Sequence, residues 1–293
     1  MARFVYLNGE LVEEDRAAIS VFDAGLLHGA GLFETMRAYG GVVFRLTDHL
    51  ARLQASAEAM SMFRLDDDAL EAISDGLTEL LCQNELTDAR MRLTMTTGDM
   101  RRPSLPDAQT EPTVFATATA LEPYPAEFYE KGMTVLISVH KQSRLDPTIG
   151  YKTLSYLPRL MSLREAQVRG CGEALWFTHE SLLAEGAISN VFIVSDDVIK
   201  TPPIDTPVLP GVTRKAIIEL AAANGISLRE TPLTINNVVE ADEIFLTNSV
   251  MEIMPVCRVE RRPIGQEKPG PITRRLTELY HQAVAEECQR DGG

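Results

Sequence analysis

Several things are scarce in this 293-residue chain, and each scarcity excludes a class of protein. There are four cysteines (Cys82, Cys171, Cys257 and Cys288), scattered and without a CxxC pair, so neither a disulfide framework nor a cysteine metal site is expected. The five histidines (His28, His49, His140, His179 and His281) show no ligand spacing, and no HExxH occurs; no metal is expected. No apolar run approaches the ~20 residues that span a bilayer, and the segment MARFVYLNGELVEE turns polar too early for a secretory signal. Only six of the 28 cations are lysine, and 42 acids leave a net charge of −14. Clustered cations for a nucleic acid or an anionic membrane are therefore missing, and a reducing cytoplasm is the expected location. No GxxxxGK[ST], GxSxG or GxGxxG occurs, which leaves P-loop, nucleophile-elbow and dinucleotide chemistries without support.

What is present is a chain of ordinary apolar content, 45%, with strand and helix signals intermixed. Arg3–Leu7 alternates, Asn8-Gly9 supplies a type I′ turn, and Glu10–Glu13 returns. A second hairpin is expected around Gly40-Gly41, with arms Phe33–Tyr39 and Val42–Leu46, and the glycine-spotted Phe22–Gly31 reads as a loop. Thr47 or Asp48 is suited to cap a helix running to about Met62; Leu70, Ile73, Leu77 and Leu80 mark a second. Arg90–Thr97 and Val114–Thr119 read as strands around a polar loop, Gly98–Pro112. Two prolines in Leu121–Pro125 suggest a linker, separating an N-terminal α+β domain (1–120) from a C-terminal one (126–293). Beyond it, strands are expected at Met133–His140, Ala174–Thr178, Val191–Ser195 and Glu243–Thr247. Helices are expected at Ser155–Arg169, Thr213–Asn224 and Ile272–Glu287. Without regular βαβ alternation, the fold class is α+β.

Three places could carry chemistry. Lys152 precedes a helix start; on position alone it is a solvated surface lysine, and the functional alternative is a buried amine of lowered pKa. Glu185 is a lone carboxylate among small and apolar residues, which alone suggests a turn. Gly211-Val212-Thr213 opens a helix whose first amides, aided by about half a positive charge from the helix dipole, suit a phosphate dianion; it could equally be only a capped helix.

Taken together these residues are sharper. Glu185-Gly186-Ala187-Ile188-Ser189-Asn190-Val191-Phe192, followed by Ile199 and Thr201, then Leu209, Gly211, Val212 and Arg214, resembles the signature of the class IV aminotransferases. These are pyridoxal-phosphate (PLP) enzymes of fold type IV. Asp48–Leu53 is similar to the family's HxxRL helix, Tyr151–Pro158 to its Schiff-base lysine segment, and Thr247–Val256 to its late phosphate-side loop.

The resemblance implies a two-domain fold type IV PLP enzyme of the D-amino-acid or branched-chain aminotransferase kind, forming a homodimer. Lys152 would hold the cofactor covalently and shuttle the proton at the substrate Cα. Glu185 would face the pyridine nitrogen, a charge-assisted hydrogen bond worth roughly 1.5–3 kcal/mol. Arg52, Val212, Thr213, Asn248 and Ser249 would surround the phosphate; Asn190 is a further cofactor-binding candidate, and Tyr156 would donate to the phenolic oxygen. Phe33, Arg37, Arg92 and Arg101, with Arg102, are the candidates for contacting an amine- and carboxylate-bearing substrate. Arg37 could instead be a cross-strand surface cation.

Within the family, Phe22–Arg37, the Lys152–Pro158 run and Thr247-Asn248-Ser249 resemble 4-amino-4-deoxychorismate lyases, which make 4-aminobenzoate and pyruvate for folate, more closely than aminotransferases. The alternative is a branched-chain or D-amino-acid aminotransferase, although the Arg-x-His pair of D-amino-acid enzymes is missing after Arg92. A third reading, a PLP-binding protein without turnover, is opposed by the intact Lys152/Glu185 pair.

Overall fold

The computed structural model describes residues 3–101 and 111–288. The chain groups into two compact units. The first holds residues 1–122 with 151–155 and 284–293; the second holds 123–150 and 156–283. The second unit is therefore not one continuous stretch from residue 126 onward. Arg102 lies outside the described residues.

The first unit is built on β1 (Phe4–Leu7), β2 (Glu10–Glu13), α1 (Ala24–His28), β3 (Gly31–Tyr39), β4 (Val42–Val43), α2 (Leu46–Ala59), α3 (Asp67–Gln83), β5 (Ala89–Thr96) and β6 (Thr113–Ala120). The six strands form one antiparallel sheet in the order β2-β1-β6-β5-β3-β4. Asn8 and Gly9 both take positive φ, 49° and 93°, as a type I′ hairpin requires. Helix α2 packs on β3, and α3 on β1 and β6. Leu50, Leu53, Ile73, Leu77 and Leu80 meet Met36, Met91 and Leu93 in a closed apolar core.

Three expectations are corrected here. Phe22–Gly31 is not all loop: Asp23 accepts the Gly25 N–H (2.8 Å) and caps α1, while its other oxygen accepts the Thr96 and Thr113 hydroxyls. The second hairpin returns only over Val42–Val43, because Leu46 already begins α2. That helix is not capped by Thr47 or Asp48. Arg45 precedes it in the left-handed region (φ 56°), its N–H donates to Glu287 (2.6 Å), and Asp48 in the first turn pairs with the Arg45 guanidinium. An acid in that turn suits the positive end of the helix dipole, which is why Asp48 resembles a cap in sequence.

The second unit contains α4 (Ala126–Lys131), β7 (Met133–Gln142), α5 (Leu157–Val168), β8 (Glu173–Thr178), β9 (Leu183–Gly186), β10 (Asn190–Ser195), β11 (Val198–Thr201), α6 (Val212–Ala223), β12 (Leu228–Glu230), α7 (Ile235–Val239), β13 (Glu243–Asn248), β14 (Glu252–Val259), β15 (Arg262–Pro263) and most of α8 (Pro271–Cys288). Its sheet runs β12-β11-β10-β13-β14-β7-β8-β9, with β15 on β14, and mixes parallel and antiparallel pairs. One antiparallel and one mixed sheet, each with flanking helices, make the fold α+β. Among the described residues no helix is long and apolar enough to cross a membrane.

Strand β14 is hidden in sequence by Pro255, a residue that resists ladder positions; here it lies opposite Phe245. Glu185, a turn residue by sequence, sits in β9, whose four residues are all buried.

Candidate functional site

In the first unit, Tyr151–Ser155 lies against the start of β3. The Phe33 N–H donates to the Lys152 carbonyl and the Leu154 N–H to the Gly31 carbonyl, both at 2.9 Å, around a bridge between Leu32 and Thr153. This places the Lys152 ammonium 4.4 Å from the centre of the Phe33 ring, with the Arg92 guanidinium 3.7 Å from the same ring. Both distances are within cation–π range.

Next along β3, Glu34 is fully buried and accepts from His49 Nδ1 (2.8 Å), Arg52 Nε (2.8 Å) and Arg52 Nη2. Burial alone would raise its carboxyl pKa, but the Arg52 charge and the His49 bond hold it down to about 2. Burial pushes His49 below its ordinary value, against the pull of Glu34, so a neutral imidazole donates through Nδ1. The arginine expected at the cofactor phosphate is thus fixed by a bidentate carboxylate.

Stability should depend on pH accordingly. With a folded pKa near 2 against an ordinary 4.5, the Glu34 contribution is complete above about pH 4.5 and is lost as pH falls through about 2. It amounts to ~3 kcal/mol. The melting temperature should fall between about pH 5 and about pH 2, and Glu34→Gln should flatten that fall.

Two of the candidate substrate arginines are committed elsewhere. Arg37 pairs with Asp88 (3.2 Å) and covers the Tyr39 ring, the cross-strand alternative offered by sequence. Arg101 pairs with Asp99 (2.7 Å) over the Phe22 ring.

In the second unit, Glu185 Oε1 accepts from Arg159 Nη2 (2.5 Å) and Gln142 Nε2 (2.9 Å), and Oε2 accepts the Leu209 N–H (3.0 Å). A carboxylate has about four lone-pair sites, so one more donor can be received. Three loops around it are fastened side by side. Asn190 Nδ2 donates to the Leu209 carbonyl (2.9 Å), and a Cβ on Gly211 would stand 1.9 Å from Asn190 Oδ1, so a side chain there would have to displace the Asn190 amide. Asn248 Nδ2 donates to the Ile188 carbonyl (3.0 Å), while its Oδ1 accepts the Val250 and Met251 N–H groups. The Tyr156 hydroxyl donates to the Ala187 carbonyl (3.2 Å).

Sequence reasoning missed Glu173, which is fully buried and accepts the N–H groups of Ala174, Ala187 and Ile188 and the Ser189 hydroxyl. Burial raises its carboxyl pKa, and the four donors pull it back. Its only signal was an acid opening an otherwise apolar strand. The signature's Thr201 donates to the Val191 carbonyl (2.8 Å), and Arg214 to the Pro202 carbonyl (3.0 Å) and Glu230.

Helix α6 begins at Gly211 with no side-chain cap, and Val212 and Thr213 are buried. Opposite Asn190, the Thr247 hydroxyl is buried without a hydrogen-bond partner. Uncapped amides and an orphaned hydroxyl beside the Gly211 turn fit a phosphate. Asn190→Ala should cost about 1–2 kcal/mol of stability and weaken PLP binding, as urea unfolding and equilibrium titration would show.

Residues 31–259 match the family model described as amino-transferase class IV. A Methanocaldococcus jannaschii protein named "Putative branched-chain-amino-acid aminotransferase" is 37% identical over 94% of each chain. The Bacillus subtilis aminodeoxychorismate lyase is 32% identical over 99% of this chain and 97% of its own. The crystal structure of the Escherichia coli branched-chain amino acid aminotransferase superposes with a TM-score of 0.91 at 30% identity, covering 100% of this chain and 98% of that one. With a family match over most of its length and relatives of this similarity, the chain belongs to the class IV aminotransferases.

Proposed function

We propose that this protein is a PLP-dependent aminotransferase acting on amino acids with one carboxylate and an apolar side chain, of the branched-chain type. The observation that carries the substrate class is the apolar Phe33 ring lying 4.4 Å from the Lys152 ammonium. The α-carboxylate of an amino acid needs one cation, and the Phe33 ring offers an apolar surface to its side chain. The 37% identical relative carries a branched-chain aminotransferase name, and so does the structure with a TM-score of 0.91, which supports the same reading. Another branched-chain aminotransferase structure, 28% identical with a TM-score of 0.89, was obtained with pyridoxamine 5′-phosphate.

Bound PLP would supply an electron sink that acidifies the carbon bearing the amino group. The chain's own residues do the rest. Lys152 tethers the cofactor and moves the proton at the substrate α-carbon. Glu185 would face the ring nitrogen, with a lone-pair site left beside its three donors. In the second unit the α6 amides of Val212 and Thr213, with Asn248 and Ser249, would hold the phosphate; Arg52 is the first unit's candidate for the same role. Arg92, over the same Phe33 ring as Lys152, is the candidate for the α-carboxylate.

A second reading, aminodeoxychorismate lyase, is favoured by the Phe22–Arg37 run and by the 32% identical Bacillus subtilis enzyme. One assay separates them. Purified protein and PLP are incubated with L-leucine or D-alanine plus 2-oxoglutarate, and separately with aminodeoxychorismate. Glutamate formation from leucine supports the first reading; release of pyruvate and 4-aminobenzoate without glutamate rejects it.

We further propose a cytoplasmic homodimer. Leu157, Leu160, Met161 and Val168 leave an exposed apolar stripe along α5, more than a monomer ordinarily shows water on one short helix. Sedimentation of a monomer at micromolar concentration would reject it.

A further inference from the structure

Arg159 stands in the first turn of α5, and no sequence motif singled it out. Its guanidinium is spread over three partners. Nη2 donates to Glu185 Oε1 at 2.5 Å, Nη1 donates to the Gly186 carbonyl at 2.9 Å, and the plane lies 4.8 Å from the Trp176 ring centre. The side chains of Arg159 and Glu185 are 13% and 5% exposed, so water screens their interaction weakly. Trp176 is backed in turn by a stacked His140 ring, at 5.8 Å. The carboxylate assigned to the cofactor's ring nitrogen is thus already half of a buried ion pair whose geometry is fixed from three sides.

This changes what Glu185 can do. A buried carboxylate alone attracts a proton onto any base it faces, because only a protonated base compensates its charge. A carboxylate already compensated by a permanent guanidinium has less to gain. A protonated ring placed against it would complete a plus–minus–plus row, with Arg159 repelling the new charge.

We propose that Arg159 is a positioning residue that fixes the Glu185 carboxylate and lowers the proton affinity of the ring nitrogen of bound PLP, so that the electron sink is weaker than Glu185 alone would make it. The inference rests on the PLP reading given above. The groups facing the Glu185 carboxyl are Arg159 from α5, Gln142 from β7 and the Leu209 amide from the loop before α6; of these only Arg159 is charged.

The test titrates holoenzyme reconstituted with PLP labelled with nitrogen-15 in the ring, reading the nitrogen shift against pH. Arg159→Met and Arg159→Gln remove the charge, and Gln retains a donor toward Glu185. Both should raise the midpoint of ring protonation at least tenfold in proton affinity. Arg159→Lys keeps the charge and should stay within threefold of the wild type. Should Arg159→Met fail to fold, the Gln and Lys variants decide. A midpoint that moves equally in Lys and Gln, or in neither, overturns the inference while leaving cofactor binding intact. Failure of the wild type to bind PLP at all overturns the family reading of the site and this inference with it.

Discussion

Lys152→Ala should abolish turnover, by at least ~10³-fold, since positioned proton transfer alone contributes about 10²–10⁴ and the covalent tether is lost with it. The fold should survive. Lys152 touches its unit through its backbone carbonyl, which accepts the Phe33 N–H, and through an ammonium over the Phe33 ring. Alanine keeps the first and gives up about 0.5–2 kcal/mol for the second. The measurement is twofold. Turnover is assayed with leucine and 2-oxoglutarate, and the borohydride-reduced holoprotein is digested to find the lysine that carries the cofactor's mass. Finding the mass on one of the other five lysines would sink the assignment.

Glu34→Ala should cost about 3–5 kcal/mol of stability, because it removes the buried carboxylate that compensates the Arg52 charge and accepts from His49. Denaturant unfolding reads it directly. The double variant Glu34→Ala/Arg52→Ala should recover part of the loss, since no unpaired buried cation remains. Additive losses would mean that the two side chains act independently.

These two residues show what was legible in the sequence. Lys152 and Glu185 stood out as candidates because a family signature repeats its residues at fixed spacing. The reasons for that spacing then emerged in space: Asn190 leaves no room for a Cβ at Gly211, and Thr201 closes on Val191. Glu34 and Arg159 were invisible because their meaning lies in partners 18 and 26 residues away, and nothing in local composition marks an acid in a strand or an arginine in a first helical turn as buried. Fold class and most long elements followed from apolar periodicity. Short buried strands such as β9 did not, since four apolar or small residues carry no period. Reaction type was the least legible. The sequence runs pointed toward the lyase, while relatives 37% and 32% identical carry the two different activities.

The staple made by Glu173 has a kinetic meaning. Its farther partners lie only 14 to 16 residues along the chain, within the span of β8, β9 and the turn that follows. Closing so short a loop costs little chain entropy. The link from Asn248 back to Ile188 bridges 60 residues, so it belongs to the slow, non-local part of folding. The backbone around Glu185 is thus shaped early by local contacts, and the phosphate side is completed late. A nascent chain would therefore set the backbone around Glu185 before the link from Asn248 to Ile188 closes.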